Sequence, residues 1–285
     1  MARDWGTDRY ATALAISRIA FADDSVETVV IATGAAFPDA LAASGLAGVH
    51  GSPLLLVGAA VTADLIDELD RLGTTSVVLI GGEKAISADV FDALHAAYDV
   101  RRVSGADRYE TAAAVAREIA DLGGVSDAAY FVRGDESADA LSVSPFAYRT
   151  TTPVLLIATG GVPTATGGVI DELGIAAGWI IGGPTAVNQT AAAELEKLLG
   201  VAPVRLNGID RYATAAAVAQ MHVDLGLAGY GLVGIATGTD FADALGGGAA
   251  VGTSGGVLLL TRADALPSAT RAALEGNLEA IDGVR

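Results

Sequence analysis

GTDRYATA, at residues 6–13, is a phrase that occurs three times in the chain. It returns as GADRYETA at residues 105–112 and as GIDRYATA at residues 208–215. The aspartates of the three phrases stand 99 and 103 residues apart, far more than a solenoid period and about the size of one small domain. The spacing therefore predicts three copies of one domain in tandem.

Two further landmarks keep the same register. An Asp-Ala-Leu triplet follows the aspartate of the phrase after 31, 32 and 33 residues, at residues 39–41, 139–141 and 243–245. An Ile-Gly-Gly triplet closes a later apolar run at residues 80–82 and 181–183. The count that leads from Asp39 to Gly81 leads from Asp243 to residue 285, so we expect the third copy to lack its closing segment. The predicted domains are residues 1–104, 105–207 and 208–285, called repeats 1, 2 and 3 below.

Composition limits the classes of function. The chain has 285 residues, 52% of them hydrophobic, which is enough for a large core. Its net charge of −17 argues against a nucleic-acid partner, and an anionic ligand would need a local arginine site. Cysteine is absent, which excludes disulfides and thiolate chemistry. No apolar run is long enough to insert into a membrane and residues 1–4 do not begin a signal peptide, so we expect any export signal to lie outside this sequence.

The pattern of apolar residues predicts alternating helices and strands. In repeat 1 the spacing predicts helices over 8–21, from Pro38 onward, over 62–72 and from Ser87 to about Tyr98. Between them lie short apolar runs without alternation, which are typical of strands covered on both faces, at residues 29–32, 54–57, 77–80 and 100–103. The corresponding strands are expected at 129–132, 153–157, 178–181 and 203–206 in repeat 2, and at 232–236 and 256–260, before a helix over 267–280, in repeat 3. This order predicts an α/β fold with a mostly parallel sheet flanked by helices in each repeat.

All three landmarks follow predicted strands. If the strands are parallel, the loops that carry the landmarks leave the same edge of the sheet, where open α/β sheets bind ligands. An antiparallel strand before the Asp-Arg-Tyr phrase would separate them. The landmarks therefore predict one ligand site per repeat at the carboxyl edge of the sheet. The predicted ligand-binding residues are Asp8, Arg9, Tyr10, Asp39, Asp107, Arg108, Tyr109, Asp139, Asp210, Arg211, Tyr212 and Asp243.

Each of these residue types also has a purely structural interpretation. The arginines can grip a phosphate or carboxylate bidentately beside a helix start, or can pair with the Asp-Ala-Leu aspartates inside the protein. The phrase aspartates are placed to cap helices, and the Asp-Ala-Leu aspartates also favour a helix start. The tyrosines can stack on a sugar or pack in the core. A double glycine can approach a phosphate or simply make a tight turn. The sequence leaves these alternatives open.

Signs of catalysis are missing from the sequence. His50, His95 and His222 do not align between repeats and lack metal-ligand spacing. No nucleophile elbow, Walker motif or dinucleotide fingerprint is present. An active site needs different groups in different roles, whereas here one set recurs. We therefore expect no catalytic residues, metal or cofactor, and interpret the repetition as multivalent binding.

The chain resembles the cell wall-binding repeat 2 family, which occurs in tandem threes in surface proteins of Gram-positive bacteria. The resemblance rests on Gly-x-Asp-Arg-Tyr-x-Thr-Ala, on Phe37-Pro38-Asp39-Ala40-Leu41 and on an apolar strand ending at Gly81-Gly82, and it covers essentially the whole chain. Repeat 2 has Ser137-Ala138 where repeat 1 has Phe37-Pro38, and repeat 3 has Ala242 for the proline. These departures argue against equal ligand affinity in the three repeats.

The resemblance implies a fold and a function. It implies toprim-like or Rossmann-like domains packed as a pseudo-trimer in a monomer, and non-covalent anchoring to an anionic cell-wall polysaccharide outside the cell. It also implies that any catalytic activity belongs to other domains of the parent protein. Two other classes stay open at this point: a nucleotide-binding or sugar-phosphate-binding enzyme that uses the same sheet edge, and a structural surface-layer component whose units bind one another.

Overall fold

Every repeat alternates helix and strand, as its apolar pattern predicts. The computed structural model describes residues 4–137 and 139–285. The start of the first predicted domain, residues 1–3, and Ala138, which stands where repeat 1 has a proline, lie outside the described residues. No helix in the described ranges combines the length and the apolar character needed to cross a membrane.

Repeat 1 contains a four-stranded sheet in which all strands are parallel, with the order β2-β1-β3-β4. Because β4 is also parallel, the Asp-Arg-Tyr phrase of repeat 2 leaves the same edge as the other landmarks, as the prediction requires. The predicted helices and strands are confirmed to within a few residues. The elements are α1 (Arg9–Ala20), β1 (Thr28–Thr33), α2 (Phe37–His50), β2 (Leu54–Val57), α3 (Ala63–Leu72), β3 (Ser76–Ile80), α4 (Ala88–His95) and β4 (Asp99–Val103).

Repeat 2 has the same topology, with the strand order β6-β5-β7-β8 and all strands parallel. A 3₁₀ turn at Ala140–Val143 precedes its second helix. The elements are α5 (Arg108–Asp121), β5 (Ala128–Arg133), α6 (Ser144–Thr150), β6 (Val154–Ile157), α7 (Thr164–Leu173), β7 (Ala177–Ile181), α8 (Gln189–Leu199) and β8 (Val204–Leu206).

The break between the 3₁₀ turn and α6 has a chemical cause at Pro145. Proline has no amide hydrogen, so it cannot donate to the carbonyl of Leu141 as a continuous α-helix requires. The hydroxyl of Ser144 donates to that carbonyl instead, at 3.0 Å. The long second helix of repeat 1 is therefore divided in repeat 2.

Repeat 3 has a smaller described sheet, with the order β10-β9-β11. The apolar pattern predicts two strands here, but a third is present, because Gly283–Val284 pairs with β9 in parallel, as β3 pairs with β1. The helix expected over 267–280 is shorter, and a separate 3₁₀ turn follows it at Leu278–Ala280. The elements are α9 (Arg211–Asp224), β9 (Leu232–Thr237), α10 (Ala242–Thr253), β10 (Val257–Thr261), α11 (Ser268–Glu275) and β11 (Gly283–Val284).

The order of the strands reverses direction between the first and third strands of each complete sheet. This switch point is where α/β sheets open a crevice at the carboxyl ends of their strands. In repeat 1 the loops that leave it carry Asp39, which follows β1, and Gly81, which follows β3. The topology therefore brings two of the three landmarks to one crevice.

The three repeats meet around helices α2, α6 and α10, which pack against one another. Small residues on these helices permit the close approach. A Cβ atom on Gly48 would lie 2.0 Å from the carbonyl oxygen of Tyr148, and one on Gly248 would lie 2.0 Å from Oγ of Ser144. The predicted pseudo-trimer is thus built on a central cluster of three helices.

The first helix of each repeat contacts the preceding repeat. Helix α5 packs against α2, α9 packs against the 3₁₀ turn before α6, and α1 packs against α10. The last contact joins repeat 3 back to repeat 1, so the arrangement is cyclic. Each helix start that bears an Asp-Arg-Tyr phrase consequently lies beside a neighbouring repeat.

Candidate functional site

The aspartate of each phrase caps the helix that follows it. Oδ1 of Asp8 accepts hydrogen bonds from the amides of Tyr10 and Ala11, at 3.0 and 2.9 Å. Asp107 and Asp210 cap their helices in the same way. These carboxylates satisfy amides that a helix start leaves without partners, so those amides are not available to a ligand anion. Recognition of an anion then depends on the neighbouring arginines.

The glycine and threonine of the phrase bind each other. The amide of Gly6 donates to Oγ1 of Thr12 at 3.0 Å, and the equivalent pairs have distances of 3.1 and 3.0 Å. A Cβ on Gly6 would lie 2.4 Å from that of Ala11. The role of this threonine is not apparent from its residue type alone. Its fixed separation of six residues from the glycine in all three repeats was the available signal.

Each arginine of the phrase is fixed to the end of the first strand of its own repeat. Nη1 of Arg9 donates to the carbonyl of Gly34 at 2.6 Å, and Arg108 and Arg211 donate to the carbonyls of Gly134 and Gly238. This hydrogen bond uses one N–H donor of the guanidinium and holds the group at the carboxyl edge of the sheet. In Arg9 and Arg211 a second nitrogen, Nη2, forms an ion pair with a carboxylate of a different repeat.

The tyrosines pack against the same glycines. A Cβ on Gly34 would lie 2.4 Å from Cε1 of Tyr10, and Gly134 and Gly238 stand in the same relation to Tyr109 and Tyr212. Tyr212 is buried, whereas Tyr10 and Tyr109 are partly exposed. This contact is the packing alternative of the sequence analysis, and sugar stacking by these rings stays a prediction.

The carboxylate of the Asp-Ala-Leu aspartate lies against the first glycine of the Ile-Gly-Gly triplet. A Cβ on Gly81 would lie 2.5 Å from Oδ2 of Asp39, and one on Gly182 would lie 2.9 Å from Oδ2 of Asp139. Both glycines have φ of 115°, in the region that favours glycine. The first glycine of the pair therefore makes room for the carboxylate at the switch point.

Two arginines that the sequence analysis did not select hold these glycines in place. Nη1 of Arg102 donates to the carbonyl of Gly81 at 2.7 Å, and Nη1 of Arg205 donates to that of Gly182 at 2.8 Å. Each lies five positions before the aspartate of the next phrase, and that recurrence was readable in the sequence.

The Asp-Ala-Leu aspartates face the arginines of the next repeat. Burial raises the pKa of Asp39 to about 6, and the charge of Arg108 in repeat 2 opposes that rise. Burial also raises the pKa of Asp139, against the opposing effects of Thr214 and Arg211 in repeat 3. These sites therefore lie between repeats rather than within one.

The third site of this kind lies between repeat 3 and repeat 1. Asp240 and Asp243 of repeat 3 line a cavity of about 380 Å³ together with residues of repeat 1, namely Gly6, Asp8, Arg9 and Thr12. The three inter-repeat clefts therefore share one plan. Below, cleft 1–2 contains Asp39 and Arg108, cleft 2–3 contains Asp139 and Arg211, and cleft 3–1 contains Asp243 and Arg9.

Arg9 and Arg211 form ion pairs with acidic residues that lie three positions before the Asp-Ala-Leu aspartates. Among the described residues Arg9 forms no ion pair with Asp39 of its own repeat, and Arg108 forms none with Asp139. Instead, Nη2 of Arg9 lies 3.0 Å from Oδ2 of Asp240, in repeat 3. Nη2 of Arg211 lies 3.9 Å from Oε1 of Glu136, in repeat 2.

These two partners were missed by the sequence analysis. Asp240 and Glu136 each lie three positions before the Asp-Ala-Leu aspartate, which was a readable acidic recurrence in two of the three repeats. They place carboxylates at the rim of clefts 3–1 and 2–3.

Each cleft brings an arginine and a carboxyl group of two different repeats together. Within residues 4–137 and 139–285 no group of three or more histidine and acidic side chains could hold a metal ion. Each cleft presents a guanidinium that is anchored at one nitrogen and partly exposed, beside a half-buried carboxyl group. A fixed guanidinium can bind a phosphate or carboxylate through its remaining donors.

A comparison with protein families gives a match over nearly the whole chain. The family model described as cell wall binding domain 2 (CWB2) matches residues 3–91, 102–192 and 205–283. The three matched segments correspond to the three repeats.

Two of the similar proteins come from Bacillus subtilis. N-acetylmuramoyl-L-alanine amidase LytC of Bacillus subtilis (strain 168) is 30% identical over 217 residues, which are 75% of this chain and 42% of that protein. The amidase enhancer of the same strain is 26% identical over 268 residues, which are 93% of this chain and 35% of that protein. The chain thus spans less than half the length of these relatives.

Solved structures show the same fold. Cwp6 from Clostridium difficile matches with a TM-score of 0.88 at 24% identity, over 99% of this chain and 44% of that one. Cwp8 from the same organism matches with a TM-score of 0.86 at 23% identity, over 98% of this chain and 47% of that one. At this level of identity the likeness concerns the fold alone.

Proposed function

The chain belongs to the cell wall binding domain 2 family, and we propose that it is a non-catalytic module that holds an anionic cell-wall polysaccharide in its three inter-repeat clefts. The proposal includes a location at the cell surface and the predicted domain boundaries 1–104, 105–207 and 208–285. The predicted site residues enter it in revised roles. The arginines contact the ligand, and the aspartates and tyrosines position them.

One observation carries the proposal. The arginine of each phrase lies at the carboxyl edge of its sheet, is anchored to a strand-end glycine, and faces the Asp-Ala-Leu segment of a different repeat. An arginine with only a structural role in its own repeat would not need the same placement at three interfaces. A polymer with regularly spaced anionic groups can contact more than one such site.

Multivalency supplies the affinity that one shallow cleft lacks. Each arginine is partly solvent-exposed, so a single contact with an anion is weak in water. Linked contacts on one polymer raise avidity by orders of magnitude without any new interaction. The net charge of −17 repels an anionic chain at long range, so we expect binding to depend on close contacts.

The absence of catalysis is part of the proposal. LytC, the relative named as an amidase, extends well beyond the segment that this chain matches, so we place that activity outside the matched segment. The repeated clefts offer the same groups three times, which suits binding better than a reaction that needs an acid, a base and a nucleophile.

Wall binding by arginine variants tests the proposal. The triple variant Arg9→Ala, Arg108→Ala and Arg211→Ala should lose binding to purified walls of Bacillus subtilis and Clostridium difficile. The loss of one hydrogen bond to a glycine carbonyl should cost about 1 kcal/mol of stability at each position. A charge-matched control replaces Arg117 and Arg271, which pair with Glu172 and Glu275, and Arg149, which lines a different cavity, with alanine and should retain binding.

The outcomes separate the three classes of function. Retained wall binding by the triple cleft variant would refute the proposal. Equal binding to walls stripped of their anionic polymer would also refute it, because the polymer is the proposed ligand. Tight binding of a nucleotide or sugar phosphate in one cleft, with turnover, would favour the enzyme. Concentration-dependent assembly without walls would favour a structural surface-layer component.

A further inference from the structure

The three clefts share one plan but not one charge balance. In clefts 3–1 and 2–3 the position three residues before the Asp-Ala-Leu aspartate is acidic, and its carboxylate pairs with the arginine of the next repeat. In cleft 1–2 the same position is Ala36, which is exposed and carries no charge. Cleft 1–2 therefore lacks, at this position, the carboxylate that pairs with the arginine in the other two clefts.

Arg108 is correspondingly the least compensated arginine of the three. In the part of the chain that the structure describes, no acidic side chain forms an ion pair with it. Arg108 is also exposed, whereas Arg9 and Arg211 are partly exposed. Among the described residues its side chain donates one hydrogen bond, from Nη1 to the carbonyl of Gly134.

The other acidic groups around Arg108 are weak competitors for it. Asp135 lies close enough for Arg108 to contribute to lowering its pKa, but the main cause is Arg133, which binds its carboxylate at both oxygens. Asp39 is largely buried, and burial disfavours its ionised form. Glu110, which stands where the other two phrases have alanine, accepts a hydrogen bond from the amide of Ala106. Among the described residues Arg108 therefore has no ion-pair partner that an incoming anion would have to displace.

We propose that cleft 1–2 is the principal anion site of the module, with Arg108 as the contacting residue, and that the residue at position 36, 136 or 240 sets the affinity of each cleft. The ligand is a phosphate or carboxylate group of a polymer. This inference rests on the proposed function for the identity of that polymer, but it concerns a ranking of sites that can be measured alone.

The order of affinities follows from the ion pairs. Arg9 pairs with Asp240 at 3.0 Å, whereas Arg211 lies 3.9 Å from Glu136, which Arg133 also binds at 3.0 Å. A carboxylate that is shared with another arginine competes less effectively. Cleft 1–2 should bind an anion first, cleft 2–3 second and cleft 3–1 last.

Titration with inorganic phosphate, monitored by the Nε–Hε NMR signals of the three arginines, measures this ranking. Arg108 should shift at the lowest phosphate concentration. Ala36→Glu should weaken phosphate binding at Arg108 about fivefold, the amount that corresponds to one exposed ion pair. Ala35→Glu adds the same charge one position away and should change that affinity by less than about twofold.

A second pair of variants tests the inference in the opposite direction. Asp240→Ala should strengthen phosphate binding at Arg9, and Glu136→Ala should strengthen it at Arg211. These changes do not depend on whether Ala36→Glu folds well. Simultaneous shifts of the three arginines, an earlier shift at Arg9 or Arg211, or no shift at any phosphate concentration would overturn the inference.

The result is distinguishable from a failure of the proposed function. If the triple arginine variant loses wall binding but phosphate shows no preference for Arg108, only the ranking fails. If phosphate prefers Arg108 while the triple variant still binds walls, the ranking stands and the proposed function fails.

Discussion

Arg9 and Asp240 join repeat 1 to repeat 3, with Nη2 of the arginine 3.0 Å from Oδ2 of the aspartate across 231 positions of sequence. Their side chains are 32% and 46% exposed. An ion pair with that exposure contributes about 0–1 kcal/mol to stability. The closure of the ring must therefore depend on the packing of α1 against α10, and the ion pair is available to adjust ligand binding.

Removal of this carboxylate should leave the fold nearly intact. We expect Asp240→Ala to lower the free energy of unfolding by less than about 1 kcal/mol, because water and salt already screen the pair. Urea unfolding followed by circular dichroism measures the change. A loss several times larger would show that the pair, rather than helix packing, closes the ring.

The central helices give a sharper stability test. Gly48→Ala would place a Cβ 2.0 Å from the carbonyl oxygen of Tyr148 and 2.9 Å from its Cα, so the backbone of α6 would have to move. We expect a loss of about 2–3 kcal/mol in the free energy of unfolding. The matched control is Gly247→Ala in α10, where a Cβ would meet nothing within 4 Å.

The control should be neutral or stabilising by up to about 1 kcal/mol, since alanine favours a helix over glycine. Equal effects of the two substitutions would contradict the close packing of α2 on α6. Chemical denaturation of both variants under one set of conditions gives the comparison.

Replacement of Glu68, a buried carboxylate in repeat 1, should have a large effect on stability. Its side chain is fully buried and accepts hydrogen bonds from Ser17, from Arg18 at 3.1 Å and from Arg71 at 2.7 Å. Burial alone would raise the pKa of Glu68, but the hydrogen bonds from Arg71, Ser17 and Arg18 outweigh it and hold the pKa below its usual value.

Glu68→Ala should cost about 3 kcal/mol, because it leaves these donors without their common acceptor. Glu172→Ala is the matched control, since Glu172 also pairs with an arginine, Arg117, but on the surface. That substitution should not shift the thermal unfolding midpoint measurably. A small effect at Glu68 would mean that the cluster adds specificity rather than stability.

His222 predicts a pH-dependent stability of the contact between repeats 2 and 3. It is buried, its ring stacks on Phe146 with centroids 3.6 Å apart, and its Nε2 lies 2.7 Å from the hydroxyl of Tyr130. Its Nδ1 lies 2.7 Å from the carbonyl of Val218, so the neutral ring can donate there and accept from the tyrosine. Burial lowers the pKa of His222 to about 4, against the opposing hydrogen bond to Val218.

The unfolded chain binds a proton at this histidine near pH 6.5, whereas the folded chain binds it only near pH 4. Stability should therefore be complete above pH 6.5 and should decrease as the pH falls from 6.5 to 4, by on the order of 3 kcal/mol. The measurement is the difference in unfolding free energy between the wild type and His222→Gln at each pH. That difference should shrink on acidification, and a constant difference would contradict the prediction.

Much of the fold was predictable because the helices and strands of each repeat are determined by residues that are close in sequence. The apolar runs at residues 29–32 and 54–57 form strands, and Asp8 caps its helix, because burial on both faces and helix capping depend on neighbours in sequence. The division of the second helix at Pro145 was also readable in principle, from the missing amide hydrogen.

The pairing between repeats was not predictable in the same way. Register shows that Arg9, Arg108 and Arg211 are equivalent, but not that each faces a neighbouring repeat, since that depends on how small-residue helices pack around an axis. The role of the Asp240 and Glu136 carboxylates became visible only in the folded structure, where each forms an ion pair with an arginine of another repeat. Tertiary packing decided which equivalent groups meet.

The first glycine of the double glycine in repeat 1 lies against Asp39, a residue of cleft 1–2. Gly81 has φ of 115°, and a Cβ there would lie 2.5 Å from Oδ2 of Asp39, while a Cβ on Gly82 would meet nothing closer than 3.9 Å. Gly81→Ala should therefore cost about 2 kcal/mol of stability from backbone strain, and Gly82→Ala should cost much less.

The pKa of Asp39 should also differ between Gly81→Ala and Gly82→Ala. Burial holds its pKa at about 6, so a side chain at position 81 that pushes the carboxylate toward solvent should lower that pKa toward its ordinary value of 3.8. Carboxyl ¹³C chemical shifts measured against pH report the change, and Gly82→Ala should leave the titration as in the wild type. An unchanged Asp39 titration in folded Gly81→Ala would show that the glycine serves the turn and not the carboxylate.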